Sequence, residues 1–283
     1  MKILLAGATG AIGRLLLPLL IEAGHEVVGS TRSADKFEQI TALGGRPVLM
    51  NALDRDSVFA AMQQAQPDVV IHQLTDLSSR DFAGNAHLRV VGTRHLVDAA
   101  LAVGAQRMIS QSLSWTYVAG DSPAHEDEPL DLDAPEPRRG TVAACVSLEQ
   151  ATAEMPVGVV LRYGMFYGPG TWFTRDGLTT DQIWQGEIVA SDAVTSFLHV
   201  ADAAHAAVAA LAWPAGAVNI VDDTPAVGKD WVPFYAQQVD APPPPVQDGR
   251  QGWERGQSNA KARALGWTPQ YPSWCDGFEQ VLR

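Results

Sequence analysis

Gly7-Ala8-Thr9-Gly10-Ala11-Ile12-Gly13 stands directly behind an apolar run, Lys2 to Ala6, and directly ahead of a leucine-rich stretch. Strand, glycine loop and helix in that order open a dinucleotide-binding βαβ unit. Glycines let the backbone turn tightly and approach a pyrophosphate, and the helix N-terminus offers unpaired N–H groups and the positive end of its dipole. On this reading Gly7, Thr9, Gly10, Ala11, Ile12 and Gly13 line the phosphates, with Arg14 beside them. The spacing is one residue longer between the first two glycines than in G-x-G-x-x-G.

Outward from the loop, helices and strands alternate. A helix over Arg14 to Ala23 carries Pro18, which removes one backbone bond, and ends at Gly24, where a left-handed cap fits. Then come a strand at Glu26 to Ser30, a polar helix near Ala34 to Leu43 and a strand at Pro47 to Met50. A helix from Asp54 to about Gln64, a strand at Val69 to Gln73, a long helix over Asn85 to Val103 and a strand at Arg107 to Gln111 follow. Strands this apolar, separated by helices, predict an α/β fold: a Rossmann-type doubly wound parallel sheet covered on both faces. Such sheets take ligands beyond the carboxyl ends of their strands. The last third, with Pro225, Pro233, Pro242 to Pro245 and four tryptophans from Trp231 to Trp274, reads as a smaller, loop-rich lobe. We expect a nucleotide-binding domain over 1–160. Residues 161–283 would supply the late strands and the substrate lobe.

Composition narrows the partners. Hydrophobic residues make up 46% and charged residues 18% of the 283, enough for a sizeable core and against disorder. A net charge of −12 argues against nucleic acid or an anionic membrane, both of which need a basic face. Cys145 and Cys275 lie far apart with no clustered histidines, which predicts reduced thiols and no metal site. Glycines 7, 10 and 13 interrupt the N-terminal apolar run, so it reads as mature fold and not as a signal peptide. The expectation is a cytoplasmic protein, monomer or homodimer, with a small-molecule substrate.

GATGAIG, Gly92-Thr93 inside a long helix, Ser110-Gln111-Ser112 at a strand end, LRYGMFYGPG at 161–170, FLHVADAA at 197–204 and SNAKARALGWTP at 258–269 occur in this order. Together they resemble an extended or atypical short-chain dehydrogenase/reductase of the NAD-dependent epimerase/dehydratase type. The resemblance implies a nicotinamide cofactor and a Tyr-x-x-x-Lys pair one helical turn apart, in which the lysine lowers the tyrosine's pKa and the tyrosine moves a proton at a substrate oxygen. The residues four positions after Tyr117, Tyr163, Tyr167, Tyr235 and Tyr271 are Asp121, Tyr167, Thr171, Val239 and Cys275, and no lysine occurs between Lys36 and Lys229. The expected pair falls on or near Val142 and Val146, which transfer no protons.

Three readings follow. The chain is an NADP-dependent reductase or epimerase with a displaced acid, or a non-catalytic NADP sensor, or a lyase on the same fold. Under the first, Ser112 matches the family's serine, with Ser114 and Tyr117 as neighbours. Tyr163 and Tyr167, beyond the adjoining strand, are the candidate acids.

Cofactor choice rests on the end of the second strand. An NAD enzyme usually ends it with an acid that holds the ribose 2′-OH. Here it reads Gly29-Ser30-Thr31-Arg32-Ser33, and the Arg32 fork with Thr31 suits a 2′-phosphate. NADP is therefore expected, with NAD as the alternative. Asn51 and Ala52 resemble the pair that frames adenine, and Gln73, Leu74 and Thr75 would lie along the ribose and nicotinamide. His199 and Asp202 match a structural HVxD segment, and His72 and His95 read as packed side chains. Glu126-Asp127-Glu128 reads as a solvated face on a lid over 120–140. Arg162, Arg175, Lys229, Arg250 and Arg255 are the cations available to a phosphorylated substrate.

Overall fold

The computed structural model describes residues 1–75 and 80–283. The chain alternates β1 (Lys2–Ala6), α1 (Gly13–Glu22), β2 (Glu26–Thr31), α2 (Phe37–Ala42), β3 (Arg46–Leu49), α3 (Arg55–Ala65) and β4 (Val69–His72). Then follow α4 (Phe82–His87), a π-helical turn at Leu88–Gly92, α5 (Thr93–Ala102), β5 (Arg107–Leu113), α6 (Arg138–Ala153) and β6 (Val157–Tyr163). The remainder comprises β7 (Met165–Tyr167), α7 (Leu178–Trp184), β8 (Val194–Thr195), β9 (Phe197–His199), α8 (Val200–Ala209), β10 (Gly216–Ile220), β11 (Ala226–Val227), α9 (Gly228–Gln238), α10 (Ala260–Ala264) and α11 (Trp274–Leu282). Among the described residues no helix is long and apolar enough to cross a membrane.

Seven strands form one sheet in the order β10-β6-β5-β4-β1-β2-β3. β1 pairs in parallel with β2 and β4, β2 with β3, and β4 with β5. This is the Rossmann-type α/β sheet read from the sequence. Local signals set its element ends. Asp54 caps α3 by accepting from the backbone N–H groups of Asp56 and Ser57, at 3.1 and 3.2 Å. Gly24, at φ +80°, ends α1. Ile3, Leu4, Leu5 and Ala6 of β1 are all fully buried, as a central parallel strand requires.

Two compact units divide the chain. The first holds 1–112, 131–161 and 204–217, and the second holds 113–130, 162–203 and 218–283. The first unit's core joins Leu4, Val28, Val70 and Met108 to Val58, Met62, Leu96 and Val97 of α3 and α5. The second unit's core is aromatic: Tyr167, Phe173, Phe197, Trp231, Tyr235, Trp274 and Phe278 pack mostly edge to face.

Candidate active site

The glycine loop lies at the carboxyl end of β1, and its three glycines have three different reasons. Gly7 has φ +93°, and a Cβ there would stand 2.9 Å from the Gln73 carbonyl oxygen. A Cβ on Gly13 would collide with the Gly7 carbonyl and the Ala8 backbone. Gly10 is different. Its N–H closes the turn on Gly7 O at 3.1 Å, it is exposed, and an added Cβ would meet only Gly7 O at an ordinary 3.4 Å. The fold itself does not require a glycine at 10, so its bareness leaves room for a ligand. Behind the loop, α1 begins with Ile12 at its cap, no side-chain cap bond and no acid in its first turn. Arg14 N and Leu15 N bond back to Gly10 O and Ile12 O, but no side chain caps the end and no acid offsets its dipole, which fits the diphosphate of a nicotinamide dinucleotide. Thr9 and Ala11 are partly buried beside this opening, and Arg14 is exposed.

The neighbouring strand ends continue the edge. Ser30, 1% exposed on β2, has a hydroxyl with no hydrogen-bond partner among the described residues. Thr31 is buried and exchanges hydrogen bonds with the Ser33 backbone, while Arg32 is exposed. The Ser33 hydroxyl donates to Asp35, which places a carboxylate near this strand end that the sequence reading had not weighed. Asn51 Oδ1 accepts from Leu53 N at 3.2 Å, and the buried Ala52 carbonyl accepts from His95 Nδ1 at 2.9 Å. Gln73 is buried, Leu74 half-buried and Thr75 exposed.

His72, at the end of β4, is held as a neutral ring. Its Nδ1 accepts from Leu74 N at 3.2 Å, so Nε2 carries the proton and donates to Thr93 Oγ1 at 3.0 Å. Burial, with the charge of Arg89 adding to it, pushes its pKa down to about 4.

Ser112, fully buried near the end of β5, donates to Glu149 Oε1 of α6 at 2.7 Å. One turn along, Thr152 donates to Ser110 at 2.8 Å, which fixes the register of α6 on β5. On the same helix Val142 is fully buried and Val146 half-buried, so two apolar side chains stand where a tyrosine–lysine pair was expected. Glu149 escaped the sequence reading, because only the helix register reveals that it reaches Ser112.

In the second unit, Tyr163 and Tyr167 are fully buried. The Tyr163 hydroxyl donates to the Ala203 carbonyl at 3.3 Å. The Tyr167 ring packs edge-on to Phe197, His199 and Phe278 and lies against Gly277. Its hydroxyl has no hydrogen-bond partner among the described residues, and burial pushes its pKa upward. These surroundings are those of core side chains, unlike the polar pocket end expected for them. His199 is likewise buried, and the Asp202 carboxylate accepts from the backbone of Gln270 and Tyr271 at 2.7 and 3.0 Å.

The five cations offered to a phosphate are all engaged within this unit. Arg162 donates to the Tyr117 hydroxyl at 2.7 Å, and Tyr117 in turn donates to Asn219 Oδ1 at 2.7 Å. Arg255, 4% exposed, donates to the carbonyls of Val118 and Ser122 and to Glu128 at 2.5 Å. Arg175 pairs with Asp240, Lys229 with Asp192 and Asp248, and Arg250 donates to the carbonyls of Gly120, Gly252 and Glu254. Glu126 accepts from Asn219 N at 2.8 Å. The acidic run therefore turns two of its carboxylates inward, correcting its reading as a solvated face.

Residues 3–221 match the NAD-dependent epimerase/dehydratase family. The chain is 42% identical to a 3-diazoavenalumate denitrifying reductase from a Streptomyces species, across 98% of this chain and 99% of that one. It is 30% identical to the UDP-glucose 4-epimerase of Mycolicibacterium smegmatis over 48% of its own length and 46% of the relative's. Among solved structures, the UDP-glucose 4-epimerase of Thermotoga maritima with UDP-glucose superposes with a TM-score of 0.79 at 22% identity, covering 100% of this chain and 97% of that one. That of Thermus thermophilus in complex with NAD gives 0.77 at 22% identity, covering 100% and 98%.

Proposed function

The chain belongs to the NAD-dependent epimerase/dehydratase family and is a reductase or epimerase of that kind, and from this premise we propose that it reductively removes dinitrogen from an aromatic diazo acid. The observation that carries the reading is the helix α6, on which Val142, fully buried, and Val146, half-buried, stand where a proton-transferring pair would be. Reduction of a carbonyl leaves an alkoxide that needs an acid within hydrogen-bond reach. Displacement of dinitrogen leaves no such oxygen. The bound nicotinamide supplies a hydride, and the balance is Ar–N2⁺ + NAD(P)H → Ar–H + N2 + NAD(P)⁺. The relative aligned along its full length is named for a denitrification, which agrees with this chemistry.

The chain's own residues then bind and orient. Gly7, Gly10 and Gly13 with the N-terminus of α1 hold the diphosphate, and Ala52, Gln73, Leu74 and Thr75 flank the adenosine and nicotinamide halves. Arg32 and Thr31 favour the 2′-phosphate of NADP. Ser112, backed by the Glu149 carboxylate, is the polar group that faces the substrate, and it positions without transferring a proton. A nucleotide-sugar substrate is disfavoured, because Arg162, Arg175, Lys229, Arg250 and Arg255 already have partners.

The test incubates the purified chain with NADPH deuterated at C4 and a ¹⁵N-labelled diazo derivative of a hydroxybenzoate. Labelled dinitrogen and deuterium on the ring carbon, in equal amounts, are expected. Interconversion of UDP-glucose and UDP-galactose, or carbonyl reduction without loss of dinitrogen from the diazo acid, overturns the reading.

A further inference from the structure

Arg89 lies in the π-helical turn between α4 and α5 and is only 5% exposed. Buried arginines are ordinarily paired, because desolvating a guanidinium without a partner is costly. Arg255 and Arg162 obey that rule within the second unit. Arg89 makes no hydrogen bond and no ion pair with any described residue. A lone π-helical turn inside an α-helix is itself a feature found frequently at functional sites.

The helix register says where this charge stands. β4 and β5 are parallel, so the helical crossover between them starts at the carboxyl edge of the sheet and runs back toward the amino edge. Thr93, four residues after Arg89 and on the same helix face, touches His72 at the last position of β4. Arg89 lies one turn closer to the start of the crossover, which sets it past the end of β4, toward Gln73 and Leu74. The charge is near enough to act on the His72 ring. Gln73 is also the residue whose carbonyl the Gly7 loop approaches. Gly92, three residues on, faces Ala52 at the end of β3. The arginine therefore rises within the first unit, beside the glycine loop and behind the ends of β3 and β4.

We propose that Arg89 is a binding residue of this edge, whose planar fork takes an oxyanion of the bound ligand: a phosphate oxygen of the cofactor's diphosphate or the carboxylate of the substrate. Both anions match the paired donors of a guanidinium. The charge has no partner among the described residues and is neutralised when ligand arrives, so it acts as a preformed counter-charge in a protein whose net charge of −12 otherwise repels anions. The inference rests on the reading of this edge as the dinucleotide site.

The experiment titrates NADPH, NADH and adenosine 2′,5′-bisphosphate into the wild type, Arg89→Met and Arg89→Lys by calorimetry, with a thermal melt of each. If the diphosphate is the anion, Arg89→Met weakens NADPH and NADH alike by tenfold or more; the bisphosphate, which keeps only the adenosine-side phosphate, weakens with them if Arg89 holds that phosphate and is unchanged if it holds the nicotinamide-side one. If the carboxylate is the anion, cofactor affinities hold. The KM for the diazo acid then rises tenfold or more, while that for its methyl ester does not. Arg89→Lys, which keeps the charge and stem but loses the fork, falls between wild type and Arg89→Met in either case, and it decides the matter should the methionine variant not fold. Cofactor affinities and KM all at wild-type values in both variants overturn the proposal. A wild type that binds NADPH yet releases no dinitrogen removes the diazo reading and leaves the diphosphate arm standing. A wild type that binds no nicotinamide dinucleotide removes both.

Discussion

The carboxyl edge of the first unit and the 113–130 segment of the second handle polar groups in opposite ways. In the second unit each buried cation is answered from within: Arg255 by Glu128 and two carbonyls, Arg162 by Tyr117, and Tyr117 by Asn219. At the edge of the first unit, Gly10 leaves bare backbone, Ser30 keeps a buried hydroxyl without a partner among the described residues, and Arg89 keeps a buried charge. A fold that satisfies its polar groups in one place and leaves them open in another marks the open place for a ligand. The satisfied place holds structure.

The largest expected effects come from two glycines of the same loop. Gly13→Val drives a side chain into the Gly7 carbonyl and should cost about 3 kcal/mol or more, with loss of the cooperative melt. Gly10→Val places its Cβ no closer than 3.4 Å to any neighbouring atom, at a loop position exposed to solvent, and should melt like the wild type while losing dinucleotide binding. If Gly10→Val binds NADPH at wild-type affinity, the open space above Gly10 has another use.

On the satisfied side, Glu128→Ala strands Arg255 at 4% exposure and should destabilise by about 3 kcal/mol, the lower end for a broken buried pair, because Glu128 itself is 31% exposed. The Arg255 guanidinium holds the Glu128 carboxyl below its usual range. The pair's contribution is thus present above the unfolded pKa of about 4.3 and is lost as pH falls through the lower folded value. The gap between variant and wild type in urea melts should shrink in acid. A gap independent of pH would show that packing, not the charge, holds the segment.

Asp222 tests the same unit with the opposite sign. It is 3% exposed, one carboxyl oxygen lacks a hydrogen-bond partner among the described residues, and burial raises its pKa to about 8. A raised carboxyl stabilises fully below its unfolded value of about 3.9, and that stability drains away as pH climbs through the folded value. Wild type should lose about 1.4 kcal/mol per pH unit inside this window from this group alone, and Asp222→Asn should remove the slope. Equal pH profiles for the two proteins would mean that the carboxylate finds a partner when it ionises.

The legible and illegible parts of the chain divide along the same line. β1, the glycine loop and α1 are local, so strand burial, glycine spacing and the helix that follows all sit within one stretch of sequence. The alternation of apolar strands with helices likewise placed β2 to β5 and predicted a parallel sheet. The pairing of Glu128 was not legible, because its partner Arg255 is 127 residues away. The engagement of Ser112 by Glu149 spans 37 residues and depends on helix register, which sequence spacing does not fix. The π-helical turn under Arg89 has no residue signature either. Arg89 reads as one more surface arginine until the crossover is docked.

The smallest effect concerns the end of β2, where both signs of charge meet. Arg32 is exposed, and Asp35 shares the Ser33 hydroxyl one residue beyond it. If Arg32 serves a 2′-phosphate, Arg32→Ala should weaken NADPH about tenfold, worth about 1.4 kcal/mol because the contact is open to solvent, and should leave NADH unchanged. Asp35 sets the opposite bias, since a carboxylate at this strand end suits a ribose hydroxyl and repels a phosphate. Asp35→Ala should therefore tighten NADPH and slightly weaken NADH, and the gain should fade as salt is raised, because the interaction is at the surface. Calorimetry with both cofactors at low and high ionic strength separates the two side chains. Equal losses for NADPH and NADH in Arg32→Ala would remove this arginine from the 2′ position, and an Asp35→Ala protein that then favours neither cofactor would leave the selection to the backbone of the glycine loop.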